Sequence, residues 1–182
     1  MEVVIVEREP LKVVGMKIRT TVEENKIPEL WNKFIPRMIE LDEVAVPECS
    51  LGICLYEGED FDESGSFSYL AGVVVKDDSI IPEGMIYHEI PKTTVAVFTH
   101  TGSLDELHET YDYIYNEWLP ASGYDLAEAD ELEWYDSRFK FGEEDSQMDI
   151  HIPIKKAEEI SDSQIDEFLS SFGLSKEDEL DF

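Results

Sequence analysis

Apolar residues recur along this chain in two rhythms, and the order in which the rhythms alternate comes round twice. Residues 2 to 6 and 11 to 20 have the β-branched density of strands and are separated by Glu9-Pro10. Ile27, Leu30, Trp31, Phe34, Ile35 and Met38 then step by three and four, the spacing of an amphipathic helix. Pro28 suits the first turn of that helix, and Pro36 should bend it or end its regular part. Residues 49 to 56 predict a strand with Cys49, Leu51, Ile53 and Leu55 on one face. An acidic turn, Glu57 to Gly65, leads to a second strand from Phe67 to Lys76, on which Phe67, Tyr69 and Ala71 share a face. Residues 77 to 91, with Pro82, Gly84 and Pro91, read as a connector.

The same order follows again. Thr93 to Thr101 reads as a strand, and Ser103 with Glu106 has the spacing of a capping box at the head of a helix. The apolar face of that helix is Leu104, Leu107, Tyr111, Ile114 and Trp118, and Pro120, Ser122 and Gly123 end it. A strand over 130 to 139, a turn at Gly142 to Ser146, and a strand alternating through Met148, Ile150, Ile152 and Ile154 complete the set. Residue classes repeat as well: Leu30-Trp31-Asn32-Lys33-Phe34-Ile35-Pro36 matches Ile114-Tyr115-Asn116-Glu117-Trp118-Leu119-Pro120. We read an internal duplication of a β-α-β-β unit, half one over 1–78 and half two over 92–156. The expected fold is α+β, with antiparallel sheets and one main helix per half. The halves pair about a pseudo-twofold axis, with a ligand cleft between them.

Residues 157–182 fall outside the repeat and carry nine acids against one Lys. Ile165, Phe168, Leu169 and Phe172 are helically spaced and Gly173 supplies a C-cap, so a short amphipathic helix is expected there. Its expected place is the domain's own surface, with a lid over the groove or a docking peptide for a protein partner as alternatives.

Composition narrows the function. With 43 acids against 14 Lys and Arg, the formal charge is −29, and such a surface repels phosphate backbones, which argues against direct nucleic-acid binding. The 42% hydrophobic content is ample for a packed core. The N-terminus has only a short apolar run among acids, so neither a signal peptide nor a membrane span is expected, and a cytoplasmic location is. Cys49 and Cys54 fall on opposite faces of one strand and read as small buried residues. His88, His100, His108 and His151 lack metal-ligand spacing; Asp60, Asp62 and Ser64 lack the glycine and closing glutamate of a calcium loop. Neither metal nor cofactor is expected.

The candidate chemistry lies in Glu131-Leu132-Glu133-Trp134-Tyr135-Asp136. As a strand, this stretch turns Leu132 and Trp134 one way and Glu131, Glu133 and Tyr135 the other. A carboxylate and a phenol then stand side by side. Facing solvent, the pair is only part of an acidic surface; lining a cavity, it attracts a cation or moves a proton.

Several stretches together resemble the GyrI-like family, an effector-binding domain also found at the C-terminus of AraC-type and multidrug-sensing transcription regulators. In the first half they are Leu30 to Pro36, Phe67-Ser68-Tyr69-Leu70-Ala71-Gly72-Val73 and Pro82-Glu83-Gly84-Met85. In the second they are Thr99-His100-Thr101-Gly102, Trp118-Leu119-Pro120-Ala121-Ser122-Gly123-Tyr124, Glu133-Trp134-Tyr135-Asp136-Ser137-Arg138-Phe139 and Ile152-Pro153-Ile154. The ordered set covers roughly residues 1–156 and leaves the C-terminal extension without a counterpart. The resemblance implies one pocket between the halves, lined by aromatic rings around one acid. That acid falls on Glu133, followed by Tyr135, and the rings fall on Trp31, Tyr69 and Trp118, with Phe67 beside Tyr69 on its strand face. It implies a stand-alone module that binds lipophilic, cationic small molecules. Two alternatives accompany it. One is a hydrolase that opens cyclopropane-containing DNA-alkylating toxins, with Glu133 as general acid or base and Tyr135 as hydrogen-bond donor. The other is an inhibitor of a DNA-associated enzyme.

Overall fold

A computed structural model of the chain describes residues 2–42, 45–56, 65–76 and 81–157. The acidic turn beginning at Glu57 and the helix expected around Ile165 to Phe172 lie outside the described residues.

The strands are β1 (Val3–Arg8), β2 (Leu11–Thr20), β3 (Ala45–Cys54), β4 (Phe67–Val75), β5 (Ile86–Ile90), β6 (Thr93–Thr101), β7 (Tyr124–Leu126), β8 (Glu131–Tyr135) and β9 (Gln147–Lys156). The first helix, α1 (Ile27–Phe34), has Pro28 in its first turn and tightens into a 3-10 turn over Ile35–Leu41, where Pro36 stops the α-helical ladder. The second helical stretch begins as a 3-10 turn, Leu104–Glu106. It runs through α2 (Leu107–Tyr113), a π-helical turn (Ile114–Trp118) and α3 (Leu119–Ser122), and ends on left-handed Gly123, φ 75°. Ser103 caps it as expected, but its hydroxyl accepts from the Asp105 N–H at 3.1 Å, because the first turn is 3-10 rather than α.

The sheet is antiparallel, in the order β1-β6-β9-β8-β3-β4-β2-β5, with β7 pairing to β9 off that path. The order reads the same from either end when β1 is matched with β5, β6 with β2, β9 with β4 and β8 with β3. The path is thus the pseudo-twofold duplication written in strand pairing. The halves join where β3 meets β8, in register from Ser50–Tyr135 to Cys54–Glu131.

Three features differ from the sequence reading. The segment read as a connector contains β5, a five-residue edge strand whose His88 and Glu89 hide its alternation. The strand expected to run to residue 139 ends at Tyr135, because the Asp136 carboxylate accepts from the Arg138 N–H at 2.9 Å and turns the chain. Finally, β1 precedes β2 in half one yet pairs with β6 of half two, while β5 pairs back with β2. The halves therefore exchange their edge strands.

Both helices lie on one face of the sheet. Leu30 and Phe34 of α1 pack on Val14, Tyr69, Ala71 and Val73. Ile114 packs on Ala96, Phe98, Ile150 and Ile152. The opposite face carries a third cluster, Val13, Leu51, Ile53, Leu70, Ile90 and Leu132. Cys49 and Cys54 are free thiols that join the clusters on opposite faces. No helix among the described residues is long and apolar enough to cross a membrane.

Candidate functional site

The seam between the halves puts Glu133 of β8 opposite Gly52 of β3, on the helix-bearing face. Alternation along β8 buries Leu132 on the far face and leaves Glu131, Glu133 and Tyr135 on this one, as read from the sequence. Glu133 is only 8% exposed. Its carboxylate accepts three phenolic O–H groups: Tyr69 at 2.6 Å and Tyr135 at 2.9 Å on Oε2, and Tyr111 at 3.2 Å on Oε1. The donors come from both halves, Tyr69 from β4 and Tyr111 from α2. No Lys, Arg or His bonds to this carboxylate among the described residues.

Trp31 of α1 ties the first half to the cluster. Its indole N–H donates to the Tyr69 oxygen at 3.3 Å, and its ring meets Tyr135 edge-on at 5.4 Å. Phe139 also meets Tyr135 edge-on, 4.8 Å between centroids. Burial raises the pKa of Tyr69, Tyr111 and Tyr135, and the Glu133 charge raises each further, so the phenols remain donors. Cys54 is raised for the same two reasons, burial first. The space for this convergence comes from Gly52: a Cβ there would lie 1.9 Å from the Tyr69 oxygen and 2.5 Å from Glu133 Oε2.

Sequence reasoning did not anticipate the second donor pair. Tyr115 donates to Glu131 at 2.6 Å, and its ring lies flat against Tyr111, 6.2 Å between centroids and 8° between planes. The π-helical turn begins just before Tyr115 and widens the helix where these two rings stack. Burial raises the pKa of Glu131, the Tyr115 hydrogen bond lowers it, and the Glu133 charge raises it. The signal was present in part: Glu131 shares the Glu133 face by alternation, and Tyr111 and Tyr115 are four apart on one helix.

Of the residues named from the sequence, Glu133, Tyr135, Tyr69 and Trp31 come together. Phe67 packs at the rim of the first-half cluster. Trp118 makes its ring contacts elsewhere, edge-on to Phe98 at 5.0 Å and flat on Tyr124 at 6.5 Å, half-buried against the second-half core. A hollow of about 450 Å³ opens beside β6, lined by Thr99, His100, Thr101, Glu106, Glu109 and Thr110, and contains none of these residues. No group of three or more His, Cys, Asp or Glu suited to a metal ion occurs among the described residues.

Residues 1–155 match the model of the GyrI-like small molecule binding domain. Over 151 residues the chain is 36% identical to the transcriptional regulator BrlR of Pseudomonas aeruginosa, covering 82% of this chain and 54% of that protein. The chain thus spans about half the length of that relative. Among solved structures, SAV2435 bound to tetraphenylphosphonium superposes with a TM-score of 0.69 at 17% identity, covering 85% of this chain and 94% of that one. The C-terminal domain of EcmrR superposes with a TM-score of 0.62 at 18% identity, covering 86% and 98%. At these identities the structures show a shared fold.

Proposed function

From the chain's membership of the GyrI-like small-molecule-binding family, we propose that it captures lipophilic cations at Glu133, as a sensor or a sequestering protein. The observation that carries this reading is a carboxylate 8% exposed, gripped by three phenols and met by no basic side chain among the described residues. A buried anion held only by neutral donors lacks a counter-charge, and a ligand cation supplies one. The rings of Trp31, Tyr135 and Tyr111 add faces on which a cation gains about 0.5–2 kcal/mol each. Aromatic walls tolerate many shapes, so selectivity falls on charge and lipophilicity more than on outline. The tetraphenylphosphonium held by SAV2435 is a ligand of this kind and makes a direct probe.

The test is a calorimetric titration of wild type and Glu133→Gln with tetraphenylphosphonium, followed by mass spectrometry of a mixture with candidate ligands. Saturable binding with unchanged ligand mass, weakened in the variant, supports the reading. Equal binding by the variant overturns it. A water-added product would instead assign a hydrolase with Glu133 as acid or base.

A further inference from the structure

The sheet face turned away from the helices holds a charged group that the Glu133 site does not use. At the end of β1, Glu7 and the following Glu9 turn outward to Lys92, whose Nζ lies 2.5 Å and 3.4 Å from their Oε1 atoms. Arg8 between them turns the other way, the direction set by strand alternation, and is only 6% exposed. None of its three guanidinium nitrogens has a hydrogen-bond partner among the described residues. On the same face the His151 ring lies flat on Trp134, 5.5 Å between centroids and 8° between planes, and its buried Nδ1 also lacks a partner among the described residues.

The carboxylate whose charge acts on Arg8 is Asp130, and it is already committed. Its Oδ1 accepts the Tyr56 N–H at 2.7 Å, and its Oδ2 lies 2.6 Å from His88 Nε2. Strand pairing places the groups in one neighbourhood: Arg8 lies opposite Thr93 and His151 opposite Val97 on the intervening β6, so both side chains share this face, and the Arg8 charge acts on His151. A guanidinium taken out of water with no acceptor is costly to the fold, and its planar fork of donors is shaped for a carboxylate or a phosphate.

We infer that Arg8, with His151 beside it, forms a binding site for a small anion of the carboxylate or phosphate class, on the face of the sheet opposite Glu133. An adventitious atmosphere of anions does not account for such a site, because a chain of formal charge −29 expels anions in general. The site would give the module a second input, of opposite charge to the first.

The test uses the full chain. Thermal unfolding and tryptophan fluorescence are followed while sodium acetate or sodium phosphate replaces sodium chloride at constant ionic strength. Wild type, Arg8→Met, Arg8→Lys and Glu133→Gln are compared. A saturable rise in the wild-type midpoint is expected with at least one anion, and which anion responds assigns the carboxylate or the phosphate class. Arg8→Met should lose the rise while melting cooperatively, at or above the wild-type midpoint in chloride, because it no longer buries a lone charge. Arg8→Lys, which keeps the charge without the fork, should bind more weakly, and Glu133→Gln should respond as wild type does. No saturable response in wild type, or an undiminished one in Arg8→Met, overturns the inference; should Arg8→Met not fold, an undiminished response in Arg8→Lys does so.

Discussion

Gly52 and Glu133 face each other at the middle of the five registered pairs that join the two halves. By the strand order they occupy corresponding places in the duplication. One copy thus supplies a carboxylate and the other the room for it. A carboxylate at both places would set two like charges directly opposite across paired strands, which is destabilising. Gly52→Ala tests the arrangement, because its Cβ would fall 1.9 Å from the Tyr69 oxygen. The expected outcome is a loss of about 1–3 kcal/mol from overpacking. Thermal unfolding would read this as a drop of several degrees, and tetraphenylphosphonium binding should weaken with it.

Glu133→Gln removes the charge and keeps the shape. Tetraphenylphosphonium has no hydrogen-bond donor, so the loss is Coulombic: charges roughly 6 Å apart attract by about 3 kcal/mol at an effective dielectric near 20, and affinity should fall by roughly ten- to a hundredfold. A neutral ligand of similar outline, such as triphenylphosphine oxide, should lose far less. Parallel losses for both ligands in calorimetry would count against charge recognition.

Tyr69→Phe deletes one oxygen that donates to Glu133 at 2.6 Å and accepts from Trp31 at 3.3 Å. Leaving these buried partners short of a bond should cost about 1–3 kcal/mol. At about 2–4 °C per kcal/mol for a chain of this size, the unfolding midpoint should fall visibly. Trp31 loses the acceptor of its indole N–H, so its fluorescence should shift as well; an unchanged spectrum and midpoint would deny the contact.

Acid should weaken the fold through His151. Burial, with help from the Arg8 charge, lowers its pKa from the ordinary 6.5 to about 4. Between those values the unfolded chain binds more protons than the folded one, so stability rises with pH there. The contribution is complete above pH 6.5 and is lost as pH falls toward 4, by up to about 3 kcal/mol. Urea unfolding of wild type and His151→Phe from pH 7 to 4 checks it: the wild type should lose more stability, and parallel curves would refute the assignment.

Much of this fold is legible in the letters because its periodicities are clean. Ile27 to Phe34 shows helical spacing, Met148 to Ile154 alternates, and Pro36 marks where the α-helix ends. Glu133 and Tyr135 are visible as neighbours because two residues on one strand share a face whatever lies beyond it. Contacts between elements are less visible. Tyr111 reads as one more member of an apolar helix face, since periodicity records where a ring sits and not where its hydroxyl aims. Trp118 matches the family pattern, yet its ring lies on Phe98. Arg8 carried no signal, being one basic residue between two glutamates on an edge strand. Alternation reveals that a strand exists but not its partner, so the exchange of β1 and β5 could not be read from it.

That exchange sets an order of assembly. Partners of β2, β3 and β4 within the first half are complete once Ile90 has been synthesised. The strand made before any of them, β1, has its partner in β6, where Val3 meets Phe98. β1 is thus seated only after a closure spanning half the chain, and until then its exposed valines Val4 and Val6 have nothing to pair with.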